Sequence, residues 1–386
     1  MARTRDQDAC PGALTLHQAA DGALLRVRLP GGVLSSTQLA VLAQAAAEFG
    51  SGSLELTSRG SLQVRGLDGA PATTAAVAGL IADAGLLPSA THERVRNIVA
   101  SPLSGRAGGL ADVRPWVAEL DAAIQADPAL TGLTGRFWFS IDDGRGDVSG
   151  LRADVGVHVL ESGDDVAVLL AGTDTGIRVS ATEAVSTMIT VASRFAEIRE
   201  KRWRVAELDD HTVLLEEFSA TAPAGARFET TTRGPVGWIP QNDGRVALGA
   251  AVPLGILPAR TAEFLAAIEA PLVITPWRTV LVCDLSEDIA DVSLRVLAPI
   301  GLVFDENSPW LDVSACTGSP GCDRSATDVR ADAEAFARAA ATEGGTGGVH
   351  HRFVGCERAC GSPLRGEVLI ATADGYRPLS RSGPHP

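Results

Sequence analysis

Four of the six cysteines lie as two close pairs near the end of the 386-residue chain. Cys316 and Cys322 are separated by five residues in ACTGSPGC, and Cys356 and Cys360 by three residues in VGCERACG. Cysteine thiolates hold iron–sulfur clusters or zinc, and thiols can also pair as disulfides. Zinc sites usually have gaps of two to four residues, and disulfides are uncommon inside cells. The spacing favours one iron–sulfur cluster on all four cysteines, with zinc or two disulfides as alternatives.

The residues around the cysteines are suited to hold an inorganic group. Glycine and proline let the backbone approach a cluster closely and offer amide donors to its sulfurs. Cys322 precedes the helical pattern DRSATDVRADAEAFARAAA. We therefore expect the positive end of that helix to favour the Cys322 thiolate.

The composition indicates a well-packed protein of two or more domains, with 45% apolar residues in 386. The formal charge of −14 argues against a nucleic-acid partner, so an anionic ligand must meet local positive charge. No apolar run is long enough to span a bilayer, and MARTRDQDAC lacks an apolar signal region. We expect a cytoplasmic protein with no membrane partner.

The chain contains an internal duplication. LELTSRGSLQVRGL aligns with LVITPWRTVLVCDL, so that Thr57 matches Thr275 and Leu67 matches Leu285. Each copy contains a strand, a turn, an alanine-rich helix and two short strands. The sequence thus predicts two α/β half-units related by a pseudo-two-fold axis, each followed by a second type of segment. The predicted boundaries are 10–88, 89–222, 223–304 and 305–386.

Several further stretches resemble the nitrite and sulfite reductase superfamily. They are LTSRGSLQVRG, RNIVASPLSG, GRFWFSIDDG, GPVGWIPQNDGRVAL and the cysteine set, all in the order of that superfamily. The resemblance implies an α+β fold, with duplicated ferredoxin-like half-units and two α/β reductase-like domains. It also implies a [4Fe–4S] cluster on Cys316, Cys322, Cys356 and Cys360.

Within the superfamily, the opening ACPGALTLHQAADGALLRVRLPGG and the stretch DVSGLRADVGV resemble the precorrin-3B synthase family of cobalamin biosynthesis. That resemblance implies an oxygen-dependent monooxygenase that hydroxylates precorrin-3A at C20 and closes a γ-lactone. It further implies a mononuclear non-haem iron, with electrons from NADH or a carrier. No dinucleotide-binding glycine loop is present, so we expect a ferredoxin or reductase partner as the donor.

The oxyanion-binding positions of the reductases distinguish a precorrin-3B synthase from a sulfite or nitrite reductase. Two arginines match, Arg59 and Arg96, whereas the two lysines are replaced by Arg136 and Trp138. A lysine can deliver protons to an oxyanion, but a guanidinium holds its protons and an indole stacks on a flat ring. We therefore predict a tetrapyrrole site, with Arg59, Arg96 and Arg136 as catalytic and binding residues.

Other arginines extend the predicted site. Arg152 is expected to pair with a substrate carboxylate, because a planar guanidinium binds carboxylates through two hydrogen bonds. Arg202 and Arg204 are weaker candidates, because surface salt bridges are the commoner role of such residues. The alternative function is a sirohaem-dependent sulfite or nitrite reductase, and a second alternative is a zinc-binding scaffold.

The ligands of the mononuclear iron cannot be chosen from the sequence. Two histidines and a carboxylate are the usual set. His92-Glu93, His350-His351 and the Asp142-Asp143 pair are candidates; the remaining histidines are His17, His158, His211 and His385. Cys283 lies in an apolar strand and is expected in the core, and Cys10 has no assigned role.

Overall fold

The computed structural model describes residues 8–379, so residues 1–7 and 380–386, with His385 among them, lie outside the described part. Its strands in chain order are β1 His17–Ala19, β2 Gly22–Val27, β3 Val33–Leu34, β4 Ser53–Leu56, β5 Leu62–Leu67, β6 Ile98–Ala100, β7 Phe139–Asp142, β8 Val155–Val159, β9 Asp165–Leu170, β10 Thr173–Ser180, β11 Gly237–Pro240, β12 Val246–Ala251, β13 Ile256–Pro258, β14 Leu272–Ile274, β15 Thr279–Leu285, β16 Val313–Ala315, β17 His351–Val354, β18 Glu367–Thr372 and β19 Gly375–Pro378. The helices are α1 Ser36–Phe49, α2 Pro71–Asp83, α3 Arg114–Ala126, α4 Ala184–Ile198, α5 Ala259–Ala266, α6 Glu287–Leu297 and α7 Val329–Glu343.

The two duplicated half-units exchange a strand. The first sheet has the order β1-β2-β5-β4-β13, and the second has the order β11-β12-β15-β14-β3. The short strand of each half-unit therefore closes the sheet of the other half-unit, with Leu257 opposite Leu54 and Leu34 opposite Leu272. The buried side chains of both sheets form one apolar core. The half-units therefore fold as one body.

The backbone repeats at the turn that the alignment identifies. Thr57 N donates to Ser61 O at 3.0 Å, and Thr275 N donates to Thr279 O at 3.0 Å. Gly60 and Arg278 hold the same place in the two turns, with φ of 63° and 60°. A positive φ is easy for glycine and strained for arginine. Arg278 therefore adopts a backbone conformation that is energetically unfavourable for a residue with a side chain.

A third sheet follows the first half-unit, with the order β10-β9-β8-β7-β6. Strands β6, β7 and β8 are parallel. Strand β7 is buried at all four of its residues, as expected of a parallel strand covered on both faces. The amphipathic helices α3 and α4 pack on this third sheet. Trp138 immediately precedes β7 and Arg204 follows α4.

The last sheet has the order β16-β17-β18-β19, and its first three strands are parallel. Helix α7 connects β16 to β17 and packs on both strands. Because α7 begins at Val329 with Asp328 as its capping residue, Cys322 lies outside the first helical turn. The helix therefore starts later than the sequence pattern indicated, and its effect on the Cys322 thiolate stays a prediction, since the helix dipole acts only near its first turn.

Within residues 8–379 no helix is both long and apolar enough to cross a membrane. The four domain boundaries given above remain predictions. The mixed architecture of two half-unit sheets and two parallel-strand sheets is that expected from the sequence.

Candidate cofactor and substrate sites

The four paired cysteines line one cavity of about 210 Å³. Cys316 directly follows β16, and Cys356 follows β17 by one residue. Since β16 and β17 are adjacent and parallel, their carboxyl ends meet at the same edge of the sheet. The fold therefore brings the two cysteine pairs together, although 33 residues separate Cys322 from Cys356 in the chain.

The thiols influence one another electrostatically. Burial, and after it the neighbouring Cys316, Cys356 and Cys322, raises the pKa of the Cys360 thiol. All the cysteines are free of disulfides. A cation among them would reverse this effect, because coordination deprotonates a thiol. The four thiols would therefore bind as thiolates to the metal ions of an inorganic group.

The arrangement of the four cysteines can be compared with the geometry of a zinc site. A tetrahedral zinc site with bonds of about 2.3 Å holds its four sulfurs within about 4 Å of one another. In the described part of the chain, no group of three or more His, Cys, Asp or Glu side chains could hold a metal ion in this way. The cysteines instead surround a space, which is what a polynuclear cluster requires.

Two residues with nitrogen donors lie near these cysteines. Gly355 N donates to Cys316 Sγ at 3.3 Å. Arg352, which is 4% exposed, donates through Nη2 to Cys360 O at 2.8 Å, while its Nε and Nη1 are buried and make no hydrogen bond. Cys316 and Cys360 raise the pKa of Arg352, but burial and Arg278 outweigh them and lower it to about 9. Orphaned donors beside four thiols fit a negatively charged cluster.

A second cavity of about 280 Å³ lies between the two duplicated turns; we call it the central cavity. It is bounded by both half-units, by the third sheet and by the loop that follows Cys360. Its lining residues include Arg59, Trp138, Arg204, Trp277, Arg278 and His350.

The central cavity is positively charged although the protein is acidic. Arg59, Arg204, Arg233, Arg278 and Arg365 line it, and none of its lining residues within 8–379 is an aspartate or glutamate. Such a local excess of guanidinium groups attracts anions against a formal charge of −14. Carboxylates are the natural ligands, because guanidinium binds them through two hydrogen bonds.

Arg59 and Arg204 lie over the ring of Trp138. Their Cζ atoms are 5.7 Å and 5.9 Å from the ring centre. Arg59 donates to Gly135 O at 3.2 Å, and burial followed by the charge of Arg204 lowers the pKa of Arg59 to about 10. Arg204 is held by the buried Asp154, with Nε 2.6 Å from Oδ2. The two cations are therefore fixed in the cavity wall on a rigid aromatic platform.

Trp277 and Arg278 are cavity residues that the sequence interpretation missed. Trp277 Nε1 donates to Thr231 O at 2.8 Å, so its ring is held in place. In the duplicated alignment Trp277 occupies the position of Arg59, and Arg278 that of Gly60. That equivalence was the available signal, because a pseudo-two-fold axis carries the second turn to the same cavity as the first.

Arg96 is not among the residues that line the central cavity, so the structure does not group it there with Arg59, and its role in substrate binding stays a prediction. Arg96 is 6% exposed and donates to both oxygens of Asp121, at 2.6 Å and 2.8 Å. It lines a separate cavity of about 330 Å³ beside α3. Asp121 on α3 determines the direction of the Arg96 side chain, because a guanidinium that makes two hydrogen bonds to a carboxylate is strongly held.

Arg136 and Arg152 also lie outside the residues that line the central cavity. Arg136 is exposed and lies over Trp203, with 5.1 Å between its Cζ and the ring centre. Arg152 is exposed and has a left-handed backbone, with φ of 61°. Arg202 pairs with surface carboxylates as expected, whereas Arg204 is a cavity residue.

The candidate iron ligands are not assembled into a site. His92 hydrogen bonds to Asp127 O, and His158 to Asp142 and Ser149. Asp142 also accepts from the backbone of its own loop, and Asp143 pairs with Arg145. His351 pairs with Glu367 at 3.5 Å. Among the described residues, the structure contains no group of two histidines and one carboxylate that could bind the expected iron.

The two unpaired cysteines differ in their surroundings. Cys283 is fully buried in β15, and burial raises its pKa to about 11, so it is the expected core residue. Cys10 lies beside Gly135 and Arg26. Neither lines the cavity of the paired cysteines.

The cysteine cavity and the central cavity are neighbours along two chain segments. Ser314 lines the central cavity and Cys316 the cysteine cavity; Gly361 lines the central cavity and Cys360 the cysteine cavity. An electron carrier on the cysteines would thus lie one or two residues from the arginine-lined space.

Part of the sequence and the fold are similar to those of nitrite and sulfite reductases. Residues 17–74 match the nitrite/sulfite reductase ferredoxin-like half domain. The structure of the NirA protein of Mycobacterium tuberculosis is similar, with a TM-score of 0.73 and 17% identity over 93% of this chain and 77% of that chain. The expected α+β fold with duplicated ferredoxin-like half-units is confirmed.

A curated relative from Sinorhizobium sp is named precorrin-3B synthase. It is 28% identical to this chain over 383 residues, which span 95% of the chain and 81% of the relative. The resemblance to the precorrin-3B synthases within the reductase superfamily is therefore confirmed.

Proposed function

We propose that this protein is an iron–sulfur monooxygenase of cobalamin biosynthesis that converts precorrin-3A to precorrin-3B. One oxygen atom of dioxygen enters the substrate at C20, where the hydroxyl forms as the ring A acetate closes a γ-lactone. The other oxygen atom leaves as water, so the reaction consumes two electrons and two protons. The similarity to precorrin-3B synthase supports the pathway, and the geometry of the two cavities supports the chemistry.

The observation that carries the proposal is the closeness of the two cavities along two segments of the chain. Cys316, Cys322, Cys356 and Cys360 would hold a [4Fe–4S] cluster, which supplies one electron at a time when bound. The backbone between Ser314 and Cys316 and between Cys360 and Gly361 separates this group from the central cavity. A substrate in the central cavity would therefore lie next to its source of electrons.

The wall of the central cavity suits a polycarboxylate ring. Its arginines would bind acetate and propionate arms, and Trp138 and Trp277 offer flat faces for the macrocycle. A volume of about 280 Å³ is near the lower end for ligand pockets, at about 300 Å³. We infer that part of the ring is enclosed and that the remaining arms extend through the open mouth.

The electrons are proposed to come from NADH through a ferredoxin or reductase partner. Arg324 and Arg358 are exposed at the cysteine cavity, so an acidic carrier protein suits that rim. A mononuclear iron remains an expectation from the family resemblance. A cytoplasmic location is proposed because all the cysteines are free thiols, as they are in reducing compartments.

Anaerobic purification with metal, sulfide and absorption analysis tests the proposal. We expect about four irons and four acid-labile sulfides per chain in excess of any mononuclear iron, the broad visible absorption of a cluster, and oxygen-dependent turnover of precorrin-3A. A colourless protein that contains zinc and no labile sulfide would instead identify a structural zinc site.

A sirohaem-dependent reductase is the second candidate, favoured by the likeness to the NirA fold. It predicts an intense Soret band, a red-region band and turnover of sulfite or nitrite. Against it, one reductase lysine position holds Trp138 in the cavity wall and the other holds Arg136 outside it. No lysine lines the central cavity in the described residues, so proton delivery to an oxyanion lacks its usual group.

Replacing Arg352 by glutamine is expected to lower the midpoint potential of the cluster. A unit charge about 6 Å away interacts by about 3 kcal/mol at an effective dielectric constant of about 20. That energy corresponds to roughly 130 mV for one electron. Since solvent reduces it, we expect a shift of about 50 mV, measured by redox titration of the paramagnetic signal.

Arg338→Gln is the matched control for this shift. Arg338 lies on α7, is 70% exposed and pairs with Glu334, so its loss should leave the potential unchanged. Equal potentials for Arg352→Gln and the wild type would contradict the placement of the orphaned Arg352 donors beside the cluster.

A further inference from the structure

His350 is in a position to exchange protons with a ligand in the central cavity. It lines that cavity together with Ser314. Ser314 Oγ lies 2.8 Å from His350 Nε2, and the imidazole also hydrogen bonds to the backbone of Leu311. The ring is therefore held in one orientation, and the Ser314 hydroxyl that contacts its Nε2 atom belongs to a residue that also lines the cavity.

His350 differs chemically from everything else in that wall. The charged lining residues are otherwise arginines, which do not release protons near neutral pH, and the remaining lining side chains are apolar, hydroxyl or indole groups. Of the described residues that line the central cavity, His350 alone has an ordinary pKa near neutrality. Its protonation is thus the one charge change available to this surface.

The groups that face His350 are mainly cationic. Arg278 acts on it from the turn between β14 and β15 and Arg352 from β17, while Arg365 lines the same cavity from the loop between β17 and β18. Asp312, before β16, is the opposing charge, but it is paired with Arg233 and accepts from Thr346. Glu367 is directed to the neighbouring His351.

These surroundings keep the imidazole neutral while the cavity is free of anions. Burial is the main cause, and the charges of Arg278 and Arg352 add to it, so that the pKa of His350 falls to about 4. A ligand carboxylate that pairs with Arg278 removes part of this positive potential. The imidazolium then becomes easier to form.

We propose that binding of a polycarboxylate tetrapyrrole in the central cavity is coupled to the uptake of one proton from solvent at His350. This inference rests on the proposed function, because it assumes that the anionic ligand is a tetrapyrrole. It identifies His350 as a positioning and proton-storing residue, with Ser314 as its link to the ligand. One of the two protons that dioxygen reduction consumes would then be stored beside the substrate.

The coupling has a definite pH dependence. The complex binds more protons than its separated components, so affinity increases as the pH falls through the His350 pKa of the complex. The gain ends when the pH reaches the lower pKa of the free protein. One coupled proton changes the dissociation constant by at most tenfold per pH unit.

The test uses the full-length protein and uroporphyrin III, a metal-free tetrapyrrole with eight carboxylates, as the probe. Titration calorimetry at one pH near 6.5, in two buffers of different ionisation enthalpy, gives the number of protons taken up. We expect the wild type to bind more protons than His350→Gln when the probe binds, by as much as one proton per chain. The pH slope of the dissociation constant should be shallower in the variant by the same amount.

His351→Gln is the matched control. His351 is the adjacent residue, pairs with Glu367 and packs on Phe336 outside the central cavity. Its replacement should leave both the proton uptake and the pH slope as in the wild type. Protonation of the probe's own carboxylates is common to all three proteins and cancels in the comparison.

A measurement on the wild type alone covers the case in which His350→Gln does not fold. With isotope-labelled histidine, nuclear magnetic resonance should show one imidazole changing from neutral to protonated when uroporphyrin III is added at pH 6.5. Binding without that change, or equal proton uptake in wild type and His350→Gln, overturns the inference and leaves the proposed function standing. Absence of tetrapyrrole binding overturns both.

Discussion

Replacing Cys356 by serine is expected to remove the iron and labile sulfide from the purified protein and to abolish its paramagnetic signal and its turnover. Cys356 lines the cavity with Cys316, Cys322 and Cys360, and serine is a poor ligand for iron where thiolates are needed. The loss should be almost complete, because a cluster with three thiolates and one open corner is exposed to solvent and oxygen at this partly exposed site. Iron and sulfide analysis under anaerobic conditions measures it.

Cys283→Ala provides the comparison. Cys283 lies in β15, is fully buried and does not line the cysteine cavity, so this variant should keep the iron, the sulfide and the signal. If Cys356→Ser retained the full signal, the assignment of the four cysteines as ligands would be wrong. Loss of the cluster in both variants would point to general unfolding instead.

The fold was predictable because it repeats. The duplicated strand–helix–strand patterns give the two half-units, and equivalent residues such as Thr57 and Thr275 make equivalent backbone hydrogen bonds. The exchange of β3 and β13 between the sheets was not predictable. Strands of two and three residues carry too little alternation to reveal their partners.

The cysteine site was predictable for a related reason. A helix between two parallel strands returns the chain to the same edge of a sheet, so residues after β16 and β17 must approach each other. The start of that helix was not fixed by its composition. Asp328 caps it at Val329, and the preceding residues form the loop that carries Cys322.

The arginines show where sequence reasoning ends. Long side chains from one backbone region can point in several directions, and a fixed partner selects among them. Asp121 draws Arg96 to α3, and Trp203 holds Arg136 at the surface, whereas Asp154 holds Arg204 at the central cavity. These partners lie 25, 67 and 50 residues away, so motif matching alone could not find them.

Of the three arginines predicted to be catalytic, Arg59 lines the central cavity, and Arg59→Ala should weaken tetrapyrrole binding by about 1.5–3 kcal/mol. That range corresponds to about a tenfold to 150-fold rise in the dissociation constant. The guanidinium is held by Gly135 O and by the Trp138 ring. Being already ordered, it loses little conformational freedom when it pairs with a carboxylate. Absorption titration with uroporphyrin III or precorrin-3A measures the loss.

Arg136→Ala tests the selection that the structure makes between these two residues. Both arginines match oxyanion-binding positions of the reductases, but Arg136 is exposed and stacks on Trp203. Its removal should therefore change affinity by less than twofold, with thermal unfolding followed in both variants to confirm that they fold. Equal losses for Arg59→Ala and Arg136→Ala would mean that the bound ring extends beyond the central cavity to Trp203. An unchanged affinity in Arg59→Ala would instead place the ring elsewhere, because a desolvated carboxylate that loses its guanidinium cannot keep the same binding energy.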